Sequence, residues 1–166
     1  MNVFSYKQGE RLAEAFNRWG VEYLFIGKSG AIFHGFPDAT QCVEVLPAKS
    51  EGNGRKLISA LRELGYELTP ETERDLIAGK DFIQLQSGPF DLDLVFAPDG
   101  IETFAEAQSR SLMIDGKFPV ASLDDIIASK RAANRQKDSE SLPRLEAFRD
   151  YLRSRNLTAL PANPST

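Results

Sequence analysis

The sequence predicts a mixed α/β or α+β domain, a twisted mixed sheet flanked by helices. Three observations carry this expectation. Segments of helical period alternate with short apolar runs of strand character. Gly, Pro, Ser and Asp cluster between them, so the connections are short. The length of 166 residues, with 42% hydrophobic and 27% charged side chains, suits one domain with a real core.

The elements follow in order. Tyr6 to Trp19 reads as an amphipathic helix, because Leu12, Ala15, Phe16 and Trp19 recur at helical spacing and Gly20 supplies a left-handed cap. Val21 to Ile26 (VEYLFI) is apolar and aromatic, as a buried strand requires. Gly27 to Gly35 is expected to turn and form a short helix. Gln41 to Leu46 is a second strand, stopped by Pro47. Ser50 to Leu64 is a helix with Leu57, Leu61 and Leu64 on one face, closed by Gly65. Phe82 to Gln86 and Phe90 to Phe96 are strands joined by the hairpin-like Ser87-Gly88-Pro89. Ile101 to Ala107 is helical. Ser111 to Val120 holds one or two short strands around Asp115-Gly116. Ser122 opens a helix to about Ala133 in a capping box with Asp125 in place of Glu. A last helix runs from about Leu142 to Arg153, with Pro143 in its first turn. The expected domain spans residues 1–155, with 156–166 a flexible C-terminal tail.

Composition bounds the function. The net charge of −4 argues against a non-specific nucleic-acid binder, although a local basic patch stays open. A single cysteine excludes an internal disulfide and fits a reducing cytosol. There is no span-length apolar run and no signal-peptide core, so a cytoplasmic protein with no membrane association is expected.

The residues that could carry chemistry fall in three groups. Gly27-Lys28-Ser29-Gly30 could hold phosphate through backbone N–H groups and the Ser29 hydroxyl; it equally describes an ordinary strand-to-helix turn with Ser29 as N-cap. Alternation puts Cys42 and Glu44 on one strand face, and Asp91 and Asp93 on one face of a later strand. If those strands are neighbours, Glu44 and Asp93 meet and could hold one Mg²⁺ with bridging phosphate, whereas a two-metal site usually needs a third acid. The same alternation describes the solvated face of an amphipathic sheet. Lys130, Arg131, Arg135 and Lys137 form a basic run, able to neutralise a polyphosphate or simply to suit a helix C-terminus. His34 could assist proton transfer or stabilise the turn. Cys42 reads more readily as a small core residue than as a nucleophile.

Read in order, FIGKSGAIFHGFPDATQCVEVL, FDLDLVFAPDG and VASLDDIIASKRAANRQKDSESLPRLEAFR give the chain a resemblance to the bacterial nucleotidyltransferase superfamily of polymerase-beta-like fold, from about Tyr6 to Leu152. Small single-domain members carry a strand, a Gly-Gly-Ser/Ala turn, His-Gly, a Thr before Asp-x-Asp, a third Asp on a later strand and a closing Lys…Arg-x-Lys-Asp stretch. By that resemblance Gly27 and Ser29 match the phosphate-holding turn, Lys28 stands for its second Gly, and Thr40 precedes the acidic pair. Cys42 and Glu44 take the places of the first two metal-binding Asp residues, and Asp93 that of the third. Lys130, Arg135, Lys137 and Asp138 match the closing stretch, and Asp38 falls where relatives usually carry Arg.

The resemblance implies a minimal nucleotidyltransferase fold and transfer of an NMP unit from a nucleoside triphosphate to an acceptor hydroxyl on RNA, protein or a small molecule, with Mg²⁺ as cofactor. Glu44 and Asp93, with Asp91, would hold the metal; Glu44 or Asp93 would take the acceptor's proton; Gly27, Lys28, Ser29, Thr40, Lys130 and Arg135 would bind the nucleotide. A thiol is a soft ligand for hard Mg²⁺ and Glu44 is a methylene longer than Asp, so attenuated or absent activity is expected about as much as activity. The rival expectation is a non-catalytic interaction or regulatory module with a protein partner, half of a toxin–antitoxin or defence pair.

Overall fold

The computed structural model describes residues 3–136 and 138–159, with side chains to 155. The expected mixed α/β class holds. Among the described residues the order is α1 (Tyr6–Arg18), β1 (Tyr23–Ile26), α2 (Gly27–Phe33), β2 (Cys42–Pro47), α3 (Glu51–Leu64), α4 (Pro70–Ala78), β3 (Phe82–Leu85), β4 (Asp91–Val95), α5 (Phe104–Arg110), β5 (Leu112–Ile114), β6 (Phe118–Val120), α6 (Leu123–Ala133) and α7 (Asp138–Ala159). The strands form one open mixed sheet in the order β3-β4-β2-β1-β6-β5. β2 runs parallel to β4 and β1 parallel to β6, while the β1–β2, β3–β4 and β5–β6 pairs are antiparallel.

Strand alternation divides the buried side chains into two layers. Val43, Val45, Leu92 and Leu94 point to one face, where Leu12 and Phe16 of α1 and Leu57 and Leu61 of α3 cover them. Leu24, Ile26 and Leu46 point to the other, beneath Ile126 and Ile127 of α6 and Leu145 of α7. Each fully buried Leu, Ile or Phe adds about 1.5–3 kcal/mol of apolar burial, so the two layers anchor both faces of the sheet. The second layer leaves the 42/44 and 91/93 positions only part-buried. That gap in the helical cover is where the candidate site lies.

Differences from the sequence reading have local causes. β1 starts at Tyr23 rather than Val21, because the buried Asn53 side chain satisfies the backbone of Glu22: its Oδ1 accepts from Glu22 N at 2.8 Å and its Nδ2 donates to Glu22 O at 3.0 Å. Trp19 belongs to the cap of α1 rather than to its buried stripe; it is 44% exposed and its indole N–H donates to Glu63. α4 has no counterpart in the reading. Its Thr69 cap and Pro70 start are ordinary start signals, but Leu76 is its only buried residue, so no apolar stripe announces it. α5 sits three residues later than expected, where the Thr103 hydroxyl caps Glu106 N at 3.1 Å. The capping box of α6 is half formed: Ser122 Oγ accepts from Asp125 N at 3.0 Å, while the Asp125 carboxylate turns to Arg110 Nε at 2.9 Å. α7 begins at Asp138, so Pro143 lies inside it and not at its start. The hairpin of β3 and β4 forms as expected; a Cβ at Gly88 would fall 2.1 Å from the Tyr66 ring, so that ring packs directly over the turn. Of the expected tail, residues 160–166 lie outside the described residues, as does Lys137 of the basic run. Among the described residues no helix is long and apolar enough to cross a membrane.

Candidate functional site

The parallel pairing of β2 with β4 sets Cys42 opposite Asp91 and Glu44 opposite Asp93. All four point to the sheet face left open by the second layer, and Glu44 and Asp93 face one cleft of about 170 Å³. Lys28, Thr40, Cys42, Lys130, Arg135, Asp138 and Ser141 complete its lining. A second cavity of about 240 Å³ adjoins it and shares Glu44, Lys130 and Arg135. Phe82, Val95, Pro98 and Ile126 give that neighbour an apolar wall, and Asp81 and Asp99 also line it.

Gly27 allows Glu44 its position. Its φ of +64° is one that residues with a Cβ rarely adopt, and a Cβ there would lie 2.1 Å from Glu44 Oε1. The Glu44 carboxylate therefore rests against the first residue of α2. Ser29 plays a different part from the phosphate ligand or N-cap expected of it. It is buried and lines neither cavity; its hydroxyl donates to Ile26 O at 3.0 Å and accepts from Glu44 N at 3.1 Å. The N-cap of α2 is Ile26. Ser29 thus pins the β1–α2 turn to β2 and fixes where Glu44 starts. Thr40 lines the cleft, but its hydroxyl serves the local turn, donating to Cys42 O at 3.3 Å and accepting from Cys42 N at 3.4 Å. Asp91 shares the face of Asp93 but not the cleft lining.

Cys42 is held as a neutral thiol. Burial pushes its pKa far up, and the nearby Asp93, Glu44 and Asp91 carboxylates push the same way. Its Sγ donates to Val43 O at 3.7 Å, on the strand face it shares with Glu44 and, across the register, Asp91. Among the described residues no group of three or more His, Cys, Asp or Glu side chains is arranged to hold a metal ion. With a protonated thiol in the third place, the donor set does not fit a resident Mg²⁺ held by the protein alone.

Lys130 is buried, not solvated: its side chain is 9% exposed and its Nζ lies 3.3 Å from Asp138 Oδ1. Arg135 Nε donates to the other oxygen of Asp138 at 2.8 Å. Burial alone would raise the Asp138 pKa, but Arg135 and Lys130 hold it below the usual carboxylate range. The sequence reading placed Asp138 in the closing stretch but gave it no part in the cleft, and it missed Ser141. Asp138 could have been found from its spacing, three residues after Arg135 at a helix start, where a carboxylate is favoured. Arg131 lies apart, paired with Glu146.

His34 does not line the cleft. Its Nε2 donates to Ala121 O at 2.8 Å and ties the end of α2 to the start of α6. Burial lowers its pKa more than this hydrogen bond raises it. The unfolded imidazole, titrating near about 6.5, takes up a proton that the fold resists. Stability is therefore full above about pH 6.5 and declines as pH falls below it, until the folded group protonates as well. His34 is the only histidine. A His34→Gln protein, which keeps a donor near Nε2, should lose less stability between pH 7.5 and 5.5 than the parent in urea unfolding. Equal losses would remove His34 from the acid response.

No family model matches this chain, and no curated protein matches it.

Proposed function

We propose that the chain is a nucleotidyltransferase-like protein that takes a nucleoside triphosphate into the cleft between β2, β4 and α6, with NMP transfer slow or lost. The main support is the register of Glu44 beside Asp93 over a cleft that also receives Lys28, Lys130 and Arg135. In the transfer, an acceptor hydroxyl oxygen bonds to the α-phosphorus, the bond from that phosphorus to the β-phosphate oxygen breaks, and pyrophosphate leaves. Glu44 or Asp93 takes the hydroxyl proton. The acceptor is an RNA, protein or small-molecule hydroxyl.

Charge decides how well this works. Three cations (Lys28, Lys130, Arg135) and three carboxylates (Glu44, Asp93, Asp138) line the cleft, so it offers a triphosphate no net positive charge. Mg²⁺ carried by the triphosphate itself would supply that charge. Weak, metal-dependent binding follows.

The experiment is a titration of the protein with each ribonucleoside triphosphate and Mg²⁺, followed by amide chemical shifts, and repeated on Arg135→Ala. Arg135 is half exposed, so its loss opens no cavity, while Lys130 stays with Asp138; the variant's amide spectrum without ligand checks that the fold survives the weaker compensation. Shifts should cluster at residues 27–30, 42–44, 91–93 and 128–136, and binding should weaken in the variant. Shifts elsewhere, or none, would sink the proposal. The neutral Cys42 thiol favours a second reading, a non-catalytic interaction or regulatory module with a protein partner, in which the cleft binds without turnover.

A further inference from the structure

We propose that Lys28 is an exchangeable cation: Asp38 holds it at the rim of the cleft, a phosphate-bearing ligand draws it off, and Arg144 keeps Asp38 compensated when it leaves. The inference rests on the triphosphate-binding reading above and adds how the site controls its own charge.

The three cleft cations are not equally available. Lys130 and Arg135 divide the two oxygens of Asp138, whose side chain is only 4% exposed. Drawing either onto a ligand strips a buried carboxylate of half its compensation, which is costly in a poorly solvated place. Lys28 is held differently. Its Nζ lies 3.4 Å from Asp38 Oδ2, and its side chain is 34% exposed. Asp38 is 21% exposed, so the pair is part-buried but far more open to solvent than the Asp138 group, and it is correspondingly more weakly held. The lysine stem is flexible and its ammonium is a point charge, so it re-aims without breaking a fork of bonds.

Asp38 does not depend on Lys28. It stands on the loop before β2, outside the cleft lining. Its Oδ1 accepts from Ala39 N at 2.8 Å, and Arg144 NH1 reaches its Oδ2 at 3.5 Å. Arg144 is held in turn: its NH2 donates to Pro37 O at 3.3 Å, and its guanidinium lies 5.1 Å from the centre of the Phe36 ring. Despite burial, the Ala39 N–H and the nearby Lys28 and Arg144 charges keep the Asp38 pKa low, so it stays ionised as a competitor for the lysine. Of the three cations, Lys28 is the one whose transfer to a phosphate disturbs least. Asp38 then acts as a brake on anion binding.

The test is a double-mutant cycle on Lys28 and Asp38. It is read by calorimetric titration with metal-free tripolyphosphate and, separately, with Mg²⁺ and ATP. Asp38→Asn should tighten tripolyphosphate binding and Lys28→Ala should weaken it, each by about two- to tenfold. In the Lys28→Ala background Asp38→Asn should give only the small gain owed to removing one negative charge near the cleft. An Asp38→Asn gain of equal size with and without Lys28 would overturn the exchange, and so would Lys28→Ala binding as tightly as the parent. A parent that binds neither probe would bring down the triphosphate reading and the exchange together. A parent that binds but is indifferent to both substitutions would sink the exchange alone.

Discussion

Replacing Asp138 by alanine is expected to lower the stability of the fold by about 3–5 kcal/mol, the usual result of removing one partner from a buried ion pair. The reason lies in what stays behind. Lys130 is 9% exposed at its side chain, and its ammonium is compensated by Asp138 at 3.3 Å in the cleft wall. Without Asp138 its ammonium faces Arg135 across the cleft rim, and two like charges replace a compensated triad. For a chain of this size each kcal/mol moves the melting temperature by roughly 2–4 °C, so the loss is visible in a simple scan. A second change separates charge from packing. Lys130→Met in the Asp138→Ala background removes the stranded ammonium and keeps the apolar stem, so it should recover a large part of the loss. pH supplies a further check. The folded Asp138 pKa lies below its unfolded value, so the parent's advantage should be constant above about pH 5 and fade as pH falls through the folded value. A loss under about 1 kcal/mol in urea unfolding would place this pair with the surface pairs, which contribute little.

The fold was legible where burial is periodic. The Leu57, Leu61 and Leu64 stripe and the alternating FDLDLV strand each declare which side meets the core, the unbroken VEYLFI run declares a strand buried on both faces, and each forms close to the expected place. α4 was not legible, because a helix that buries only Leu76 leaves no period to detect. The site divides along the same line. Alternation gave Glu44 and Asp93 a common face within each strand, but only the pairing of β2 with β4 makes them neighbours. The Gly27–Gly30 turn signalled a strand-to-helix corner, yet sequence could not say that Ser29 points inward to Ile26 and Glu44. The ion pairs of Lys28 with Asp38 and Lys130 with Asp138 depend on chain segments that meet only in the folded state, and no local pattern encodes them.

The double change Cys42→Asp with Glu44→Asp should give a fold whose stability depends on added metal far more than the parent's does. At position 42 the thiol is neutral beside the Asp93, Glu44 and Asp91 carboxylates. An aspartate there can donate nothing when ionised, and it brings a negative charge into a part-buried group that already holds Asp93 and, across the register, Asp91. Repulsion and desolvation then act together, so in chelator the variant should lose about 2–3 kcal/mol relative to the parent. Shortening Glu44 draws its carboxylate back from Gly27, against which it now rests. The result is three hard oxygen donors on two adjacent strands, the donor type that Mg²⁺ and Mn²⁺ prefer. Metal at about a hundred times its dissociation constant would restore about 2.7 kcal/mol, comparable with the loss. Melting scans of parent and variant in chelator, in Mg²⁺, and in Mg²⁺ with a triphosphate measure each step. Cys42→Asn with Glu44→Asp, similar in size but neutral at position 42, should show no comparable metal response. If the parent and the Asp variant respond to metal equally, position 42 does not belong to a metal site. The account of Cys42 as the replacement that weakens transfer would then fail, while the ion pairs around Lys28 and Lys130 would keep their tests.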